Sequence, residues 1–215
     1  MNVCPPKLDY TLYGHPESGH SYKVKLALEV ARIPHHYQVI DIGLPHQERP
    51  EPFRSLARYG EVPLLLCQGQ AYVQSNAILL LLAEQTGRWG GESGTRLARA
   101  REWLFWEANR LGLSLPHLRF ARRFDAQAYP EGSLFWFERR YDADTARLEQ
   151  ELRDGRRFIL DDQPSVADFG LCGYLYWADQ AQVTVPPGVA AWLTRISQLP
   201  GWAAPYALLA RPTRA

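Results

Sequence analysis

The chain has 215 residues, 24 Lys and Arg against 23 Asp and Glu, and 46% hydrophobic residues. A charge balance this close to neutral excludes the basic footprint of a nucleic-acid binder and a strongly acidic partner, and the composition is that of a globular chain able to form one domain or two small ones. Three widely spaced cysteines, Cys4, Cys67 and Cys172, argue against a disulfide framework or a zinc site and fit a reducing compartment. Pro5, Pro6, Lys7 and Asp9 interrupt the opening segment, so no signal region is expected there. The longest apolar run, Ala77 to Ala83, is far short of the roughly 20 residues of a membrane span. A soluble, cytoplasmic protein with no membrane, nucleic-acid or metal partner is expected.

In chain order, Leu8–Gly14 is predicted as a strand and His20–Arg32 as a helix. Val24, Ala27, Leu28 and Ala31 line one face of that helix at spacings of three and four. Pro34 closes it, His36–Ile42 reads as a second strand, and a proline-rich charged stretch from Pro45 to Pro52 leads to a short helix over Phe53–Ala57. Val62–Leu66 and Ala71–Val73 are predicted strands joined by a Gln68-Gly69-Gln70 turn. Ser75 is predicted to cap an apolar helix ending near Gly87. The order βαβ then ββα implies a mixed four-stranded sheet with helices packed on it.

Past the glycine-rich break Gly87–Gly94 the strand signals stop. Thr95–Arg123, Ser133–Arg153, Ser165–Gln180 and Val189–Gln198 are predicted helices, so residues 1–87 form an α/β domain and 93–215 an all-α domain. Most of the seven tryptophans fall on apolar helical faces and are assigned to the core.

Three segments of the first domain carry chemistry. Ser18-Gly-His-Ser-Tyr-Lys-Val-Lys lies where the first strand hands over to the first helix. A hydroxyl there is either a helix cap or part of an anion site, since unpaired N–H groups and the positive end of the helix dipole favour negative charge. A bound thiol would lose its proton more readily at such a place. Gly60-Glu61-Val62-Pro63-Leu64-Leu65 is a strand entered through proline. It is either an ordinary edge strand or, if the Val62–Pro63 bond is cis, a backbone edge offered to an extended ligand. Gln74-Ser75-Asn76 opens the apolar helix, with Ser75 read as a cap or as a carboxylate cradle and Gln74 beside it. Together the three offer a thiolate site, a peptide edge and a carboxylate cradle, which matches a short anionic peptide carrying a thiol.

These residues resemble the glutathione transferase family over nearly the whole chain. Ser18-Gly-His-Ser-Tyr-Lys-Val is similar to the Ser-Gly-Asn-x-Tyr-Lys-Val segment of many bacterial members, Gly60-Glu-Val-Pro63 to the family's cis-proline strand, and Gln74-Ser75-Asn76-Ala-Ile to its γ-glutamyl motif. Ser165-Val-Ala-Asp168-Phe resembles its buried capping box, a structural feature in which Ser165 caps a helix and Asp168 reaches back. The resemblance implies a thioredoxin-like N-terminal domain, an all-α C-terminal domain and a homodimer. It further implies glutathione as co-substrate with no permanently bound cofactor. Ser18 would stabilise the glutathione thiolate, Val62 and Pro63 would pair with the peptide backbone, and Gln74 and Ser75 would hold the γ-glutamyl end. A free thiol has a pKa of ~8.5, and lowering it by ~2 units takes roughly 2.7 kcal/mol. The thiolate would attack a small hydrophobic electrophile, or reduce a peroxide, between the two domains.

Departures from the pattern bear on mechanism. His20 stands where many relatives carry Asn, and is a second catalytic candidate, as a neutral donor or as an imidazolium. Ala57-Arg58 replaces the frequent Asn-Pro, and no cysteine occurs from Ser18 through Lys25, which weighs against a mixed disulfide with the protein. The electrophile pocket is expected to draw on His15, Pro16, Trp103, Trp106, Arg110 and the tail near Tyr206, residues that equally suit domain packing. Arg119, Arg122 and Arg123 read as a solvated helix end, or else a basic patch. Isomerase, dehalogenase and disulfide reductase chemistries, and a non-catalytic scaffold, remain alternatives to transfer.

Overall fold

The computed structural model describes residues 9–130 and 132–210; Cys4, Leu8 and the other opening residues lie outside them. Strands β1 (Tyr10–Gly14), β2 (His36–Val39), β3 (Leu64–Cys67) and β4 (Gln70–Val73) form one sheet in the order β2-β1-β3-β4. β1 runs parallel to β2 and antiparallel to β3, and β3–β4 is a hairpin. Gln70 pairs with Cys67, so the turn is only Gln68-Gly69, both with positive φ, as a tight hairpin requires. Helices α1 (Gly19–Val30), α2 (Phe53–Leu56) and α3 (Ser75–Thr86) complete this half. The mixed four-stranded sheet followed by helices is the thioredoxin-like and all-α arrangement expected.

The second half is helical among the described residues: α4 (Gly94–Ala108), α5 (Leu111–Arg123), α6 (Ser133–Glu151), α7 (Val166–Cys172), α8 (Pro187–Ser197) and α9 (Pro205–Leu209). The single helix predicted over Thr95–Arg123 is two, because the backbone at Arg110 leaves helical geometry. The helix predicted over Ser165–Gln180 is shorter, ending at Cys172 and followed by a 3₁₀ turn at Leu175–Trp177.

Helix α1 differs most from expectation. It has no solvent face: every residue but His20 is buried, because α1 lies between the sheet and the helical half and packs on α3, α7 and α9. Its charged residues are therefore paired inside. Lys23 Nζ meets Glu107 at 2.7 Å, and Lys25 Nζ meets Glu29 at 3.2 Å and His35 Nε2 at 2.8 Å. His35 Nδ1 lies 2.7 Å from the Ile33 carbonyl, so Nδ1 carries the proton and Nε2 accepts from Lys25. One main core runs across both halves, from Leu12 and Val24 to Phe169 and Trp192, and a smaller one gathers Tyr13, Ile40, Phe53 and Leu64 behind the sheet.

Candidate functional site

A cleft of about 810 Å³ opens between the sheet-bearing and helical halves. Its floor comes from four stretches brought together by the sheet: the β1–α1 turn, the segment after β2, the approach to β3 and the β4–α3 junction.

Ser18 is the N-cap of α1, as the cap reading expected. Its Oγ accepts the Ser21 N–H at 3.0 Å and the residue is only 6% exposed, yet it lines the cleft. Capping uses a lone pair and leaves the hydroxyl proton free to donate. The two readings of Ser18 are therefore compatible. The next residue must be glycine, because a Cβ on Gly19 would sit 2.5 Å from the Tyr174 ring.

His20 lines the cleft, its ring edge-on to Tyr174 and its Nδ1 3.5 Å from Ser75 Oγ. Burial, then the charge of Lys23 and the neighbourhood of His117, hold its pKa at about 3. Of the two forms expected, this lowered pKa favours the neutral ring near neutrality. A depressed folded-state pKa contributes stability above the ordinary value of 6.5 that is lost as pH falls toward about 3. His20→Gln is expected to flatten the thermal midpoint across that window, measured by unfolding scans in a pH series. An unchanged slope would assign the acid loss elsewhere.

Val62 and Pro63 lie at the cleft wall, joined by a cis bond, and the β3–β4 ladder starts one residue later at Leu64. Gln74 has φ +68°, a region non-glycine residues seldom adopt, and its amide reaches Glu61 at 3.4 Å. Ser75 is the first helical residue of α3 and not its cap; the cap position belongs to Gln74, whose side chain makes no cap bond. The backbone donors of the first turn of α3 therefore meet no capping side chain, and Ser75 and Asn76 line the cleft. Asn76 works on the fold as well: its amide donates to the Leu104 carbonyl and to Glu107, each at 2.8 Å, tying α3 to α4.

The opposite wall is a ridge at four-residue spacing, Ala108, Gly112, Pro116, Phe120 and Phe124. Pro116 sits inside α5 and has no N–H to offer the Gly112 carbonyl. Of the residues expected here, His15 lines the cleft, whereas Trp103, Trp106 and Arg110 do not. The two tryptophans pack edge to face at 5.3 Å against the core, and Arg110 lies 4.0 Å from Asp144. The break at Arg110 and the packing of α4 turn the Ala108 ridge toward the cleft. The sequence reading passed over this ridge, because Ala108, Gly112 and Pro116 carry no aromatic signal and the break at Arg110 was not expected. Tyr206 contributes from behind the wall through Glu17.

Profile comparison matches residues 17–85 to the N-terminal domain of glutathione S-transferases and residues 126–195 to their C-terminal domain. A solved structure of a possible glutathione S-transferase from Rhodopseudomonas palustris is 31% identical, covering 92% of this chain and 98% of that one, with a TM-score of 0.81. The chain belongs to the glutathione S-transferase family. A glutathione S-transferase from Pseudomonas fluorescens Pf-5 is 27% identical, with 91% and 98% of the two chains covered and a TM-score of 0.81. The disulfide-bond oxidoreductase YfcG of Escherichia coli K12 is 28% identical over 191 residues, 83% of this chain and 86% of that protein.

Within this family frame, Arg119 departs most from the sequence reading. It is not part of a solvated helix end: it is 3% exposed, lines the cleft and reaches Glu17, Gln180 and Tyr206. Burial alone would raise the Glu17 carboxyl; hydrogen bonds from Tyr206 and Arg119, with the charges of Arg119 and Arg123, outweigh it and hold its pKa low. The capping box is present as expected, with Ser165 and Asp168 bonded reciprocally and neither of them lining the cleft.

Proposed function

We propose that the chain binds glutathione in this cleft and activates its thiol at Ser18 for attack on a small apolar electrophile or a peroxide. The carrying observation is the Ser18 hydroxyl: it lines the cleft at the N-terminus of α1, with its lone pair engaged by Ser21 and its proton available. A charge-assisted hydrogen bond together with the helix end is of the size needed to move the thiol pKa into the neutral range. Val62 and Pro63 offer the peptide edge, and Gln74 with Ser75 the γ-glutamyl cradle. His20, neutral, serves the site as a hydrogen-bond partner of Ser75. The electrophile sits against Phe120, Phe124 and Pro116 in place of the tryptophans. The assembly is a homodimer, supported by Phe105, Phe135 and Trp136, which expose large apolar side chains on α4 and α6.

The similarity to an oxidoreductase of disulfide bonds supports a second reading with the same thiolate. One glutathione thiolate attacks a substrate disulfide and releases a thiolate. A second glutathione thiolate then resolves the mixed disulfide, leaving oxidised glutathione and a dithiol. The absence of cysteine from Ser18 through Lys25 suits a reaction in which all sulfur comes from glutathione and substrate.

Calorimetric titration with glutathione, followed by rates on chloroaromatic, peroxide and disulfide substrates, tests both. Binding in the micromolar to millimolar range is expected, and no heat at millimolar glutathione would discard both readings in favour of a scaffold. Turnover confined to the disulfide substrates would replace the first reading by the second.

A further inference from the structure

The residue immediately before Ser18 is held by the helical half of the molecule. Arg119 Nη1 donates to the Glu17 backbone carbonyl at 2.9 Å, and Nη2 of the same guanidinium pairs with the Glu17 carboxylate. The Tyr206 hydroxyl donates to Glu17 Oε2 at 2.8 Å, and Arg123 approaches Oε1 at 3.4 Å. Arg119 is itself fixed, with Nε donating to Gln180 Oε1 at 2.8 Å and the guanidinium lying over the Trp177 ring at 4.4 Å. A guanidinium this deeply buried needs its carboxylate in place, since an unpaired buried charge is strongly unfavourable.

The turn itself is closed by short-range bonds. Ser18 N donates to the His15 carbonyl at 3.0 Å, Glu17 N to His15 Nδ1 at 3.1 Å, and His15 N to Ser21 Oγ at 3.2 Å. These bonds give the turn its shape, but they all lie within residues 15–21 and cannot set its place relative to the opposite wall. The Arg119 fork does that, because it takes backbone and side chain of Glu17 at once and is rigid and planar.

We propose that Arg119 is a positioning residue for thiol activation: by gripping Glu17 from the helical half it holds the Ser18 hydroxyl at the sulfur, so that thiolate formation depends on the docking of the two halves. This rests on the reading of Ser18 given above. Lysine cannot replace it, because a single ammonium does not span the carbonyl, the carboxylate and Gln180 together.

The test is a pH titration of the ultraviolet absorbance of bound glutathione thiolate, with calorimetric affinity alongside, in the wild type, Arg119→Lys and Glu17→Gln, each also carried in a Ser18→Ala background. Both single variants are expected to raise the thiol pKa by ~0.5–1 unit, about 3- to 10-fold less thiolate near neutrality. Glutathione affinity should change little, since Val62, Gln74 and Ser75 stand on the sheet-bearing half. In the Ser18→Ala background neither change should move the pKa further. The midpoint of such a titration does not depend on how much protein is folded, and Glu17→Gln keeps the test available if Arg119→Lys folds poorly. Unshifted midpoints in both variants overturn the proposal. So does a further shift in the Ser18→Ala background. A pKa raised by Arg119→Lys but lowered by Glu17→Gln also overturns it, because Arg119 would then act on the sulfur directly. A wild type with no thiolate band would instead remove the Ser18 reading itself.

Discussion

Ser18→Ala is expected to raise the pKa of bound glutathione by ~1–2 units and to lower kcat/KM near neutral pH by about 10- to 100-fold, the worth of a hydrogen bond to a charged group. The same substitution removes the cap on Ser21 N–H, which costs ~0.5–2 kcal/mol of stability. The two effects need separating, and Ser18→Asp separates them. Aspartate caps as well as serine and suits the positive helix end, so the thermal midpoint should match or exceed that of the wild type. A carboxylate beside the sulfur has no proton to give and repels the thiolate, so activity should fall below that of Ser18→Ala. Ser18→Thr, which keeps both the cap and the donor, should retain most of the rate. If Ser18→Asp were as active as the wild type, the hydroxyl would be a cap and nothing more. Steady-state rates, thiolate absorbance and unfolding scans on the three variants decide it.

What could be read in the sequence was what is local. The cap at Ser18, the box at Ser165 and Asp168 and the proline before β3 each express contacts spanning a few residues, and each stands where it was expected, while the hairpin expected over Gln68-Gly69-Gln70 is there with a turn one residue shorter. The partners of buried charge were not legible, because they lie far along the chain. Lys23 finds Glu107 on α4, and Arg119 finds Glu17 at a separation of 102 residues. A lysine or arginine in a helix looks solvent-facing until the opposing surface is known, which is why α1 read as amphipathic and the end of α5 as solvated. The same ignorance placed the cleft wall on Trp103 and Trp106. Aromatic content marked those positions, whereas the packing of α4 and α5 presents the Ala108, Gly112 and Pro116 ridge instead. Ser75 shows the limit from the other side. Its type signalled a cap, but the helix starts one residue earlier, after Gln74 with its positive φ, and no side chain caps the first turn.

Asp168→Ala should cause the largest loss of stability of any single substitution discussed, about 3–5 kcal/mol, by leaving buried donors without an acceptor. The carboxylate has no exposed surface and is fully engaged. Oδ1 accepts the Ile159 N–H and the Trp192 indole N–H, and Oδ2 accepts the Ser165 N–H and hydroxyl, all at 2.8 Å. One side chain thereby joins the start of α7, the segment before it and the fully buried Trp192 of α8. Burial pushes its carboxyl pKa up, and those four donors work against that push. At ~2–4 °C per kcal/mol for a chain of this size, the thermal midpoint should fall by roughly 6–20 °C. Asp168→Asn keeps the volume but turns an amide N–H toward groups that are themselves donors, so it should recover only part of the loss. None of these residues lines the cleft, so the folded fraction, assayed well below the midpoint, should bind glutathione with wild-type affinity. A drop in affinity at low temperature with an unchanged midpoint would reverse the assignment and put Asp168 in the service of the site; a lowered midpoint with intact affinity keeps it where its four bonds place it, as the anchor of the helical half on which the Arg119 grip depends.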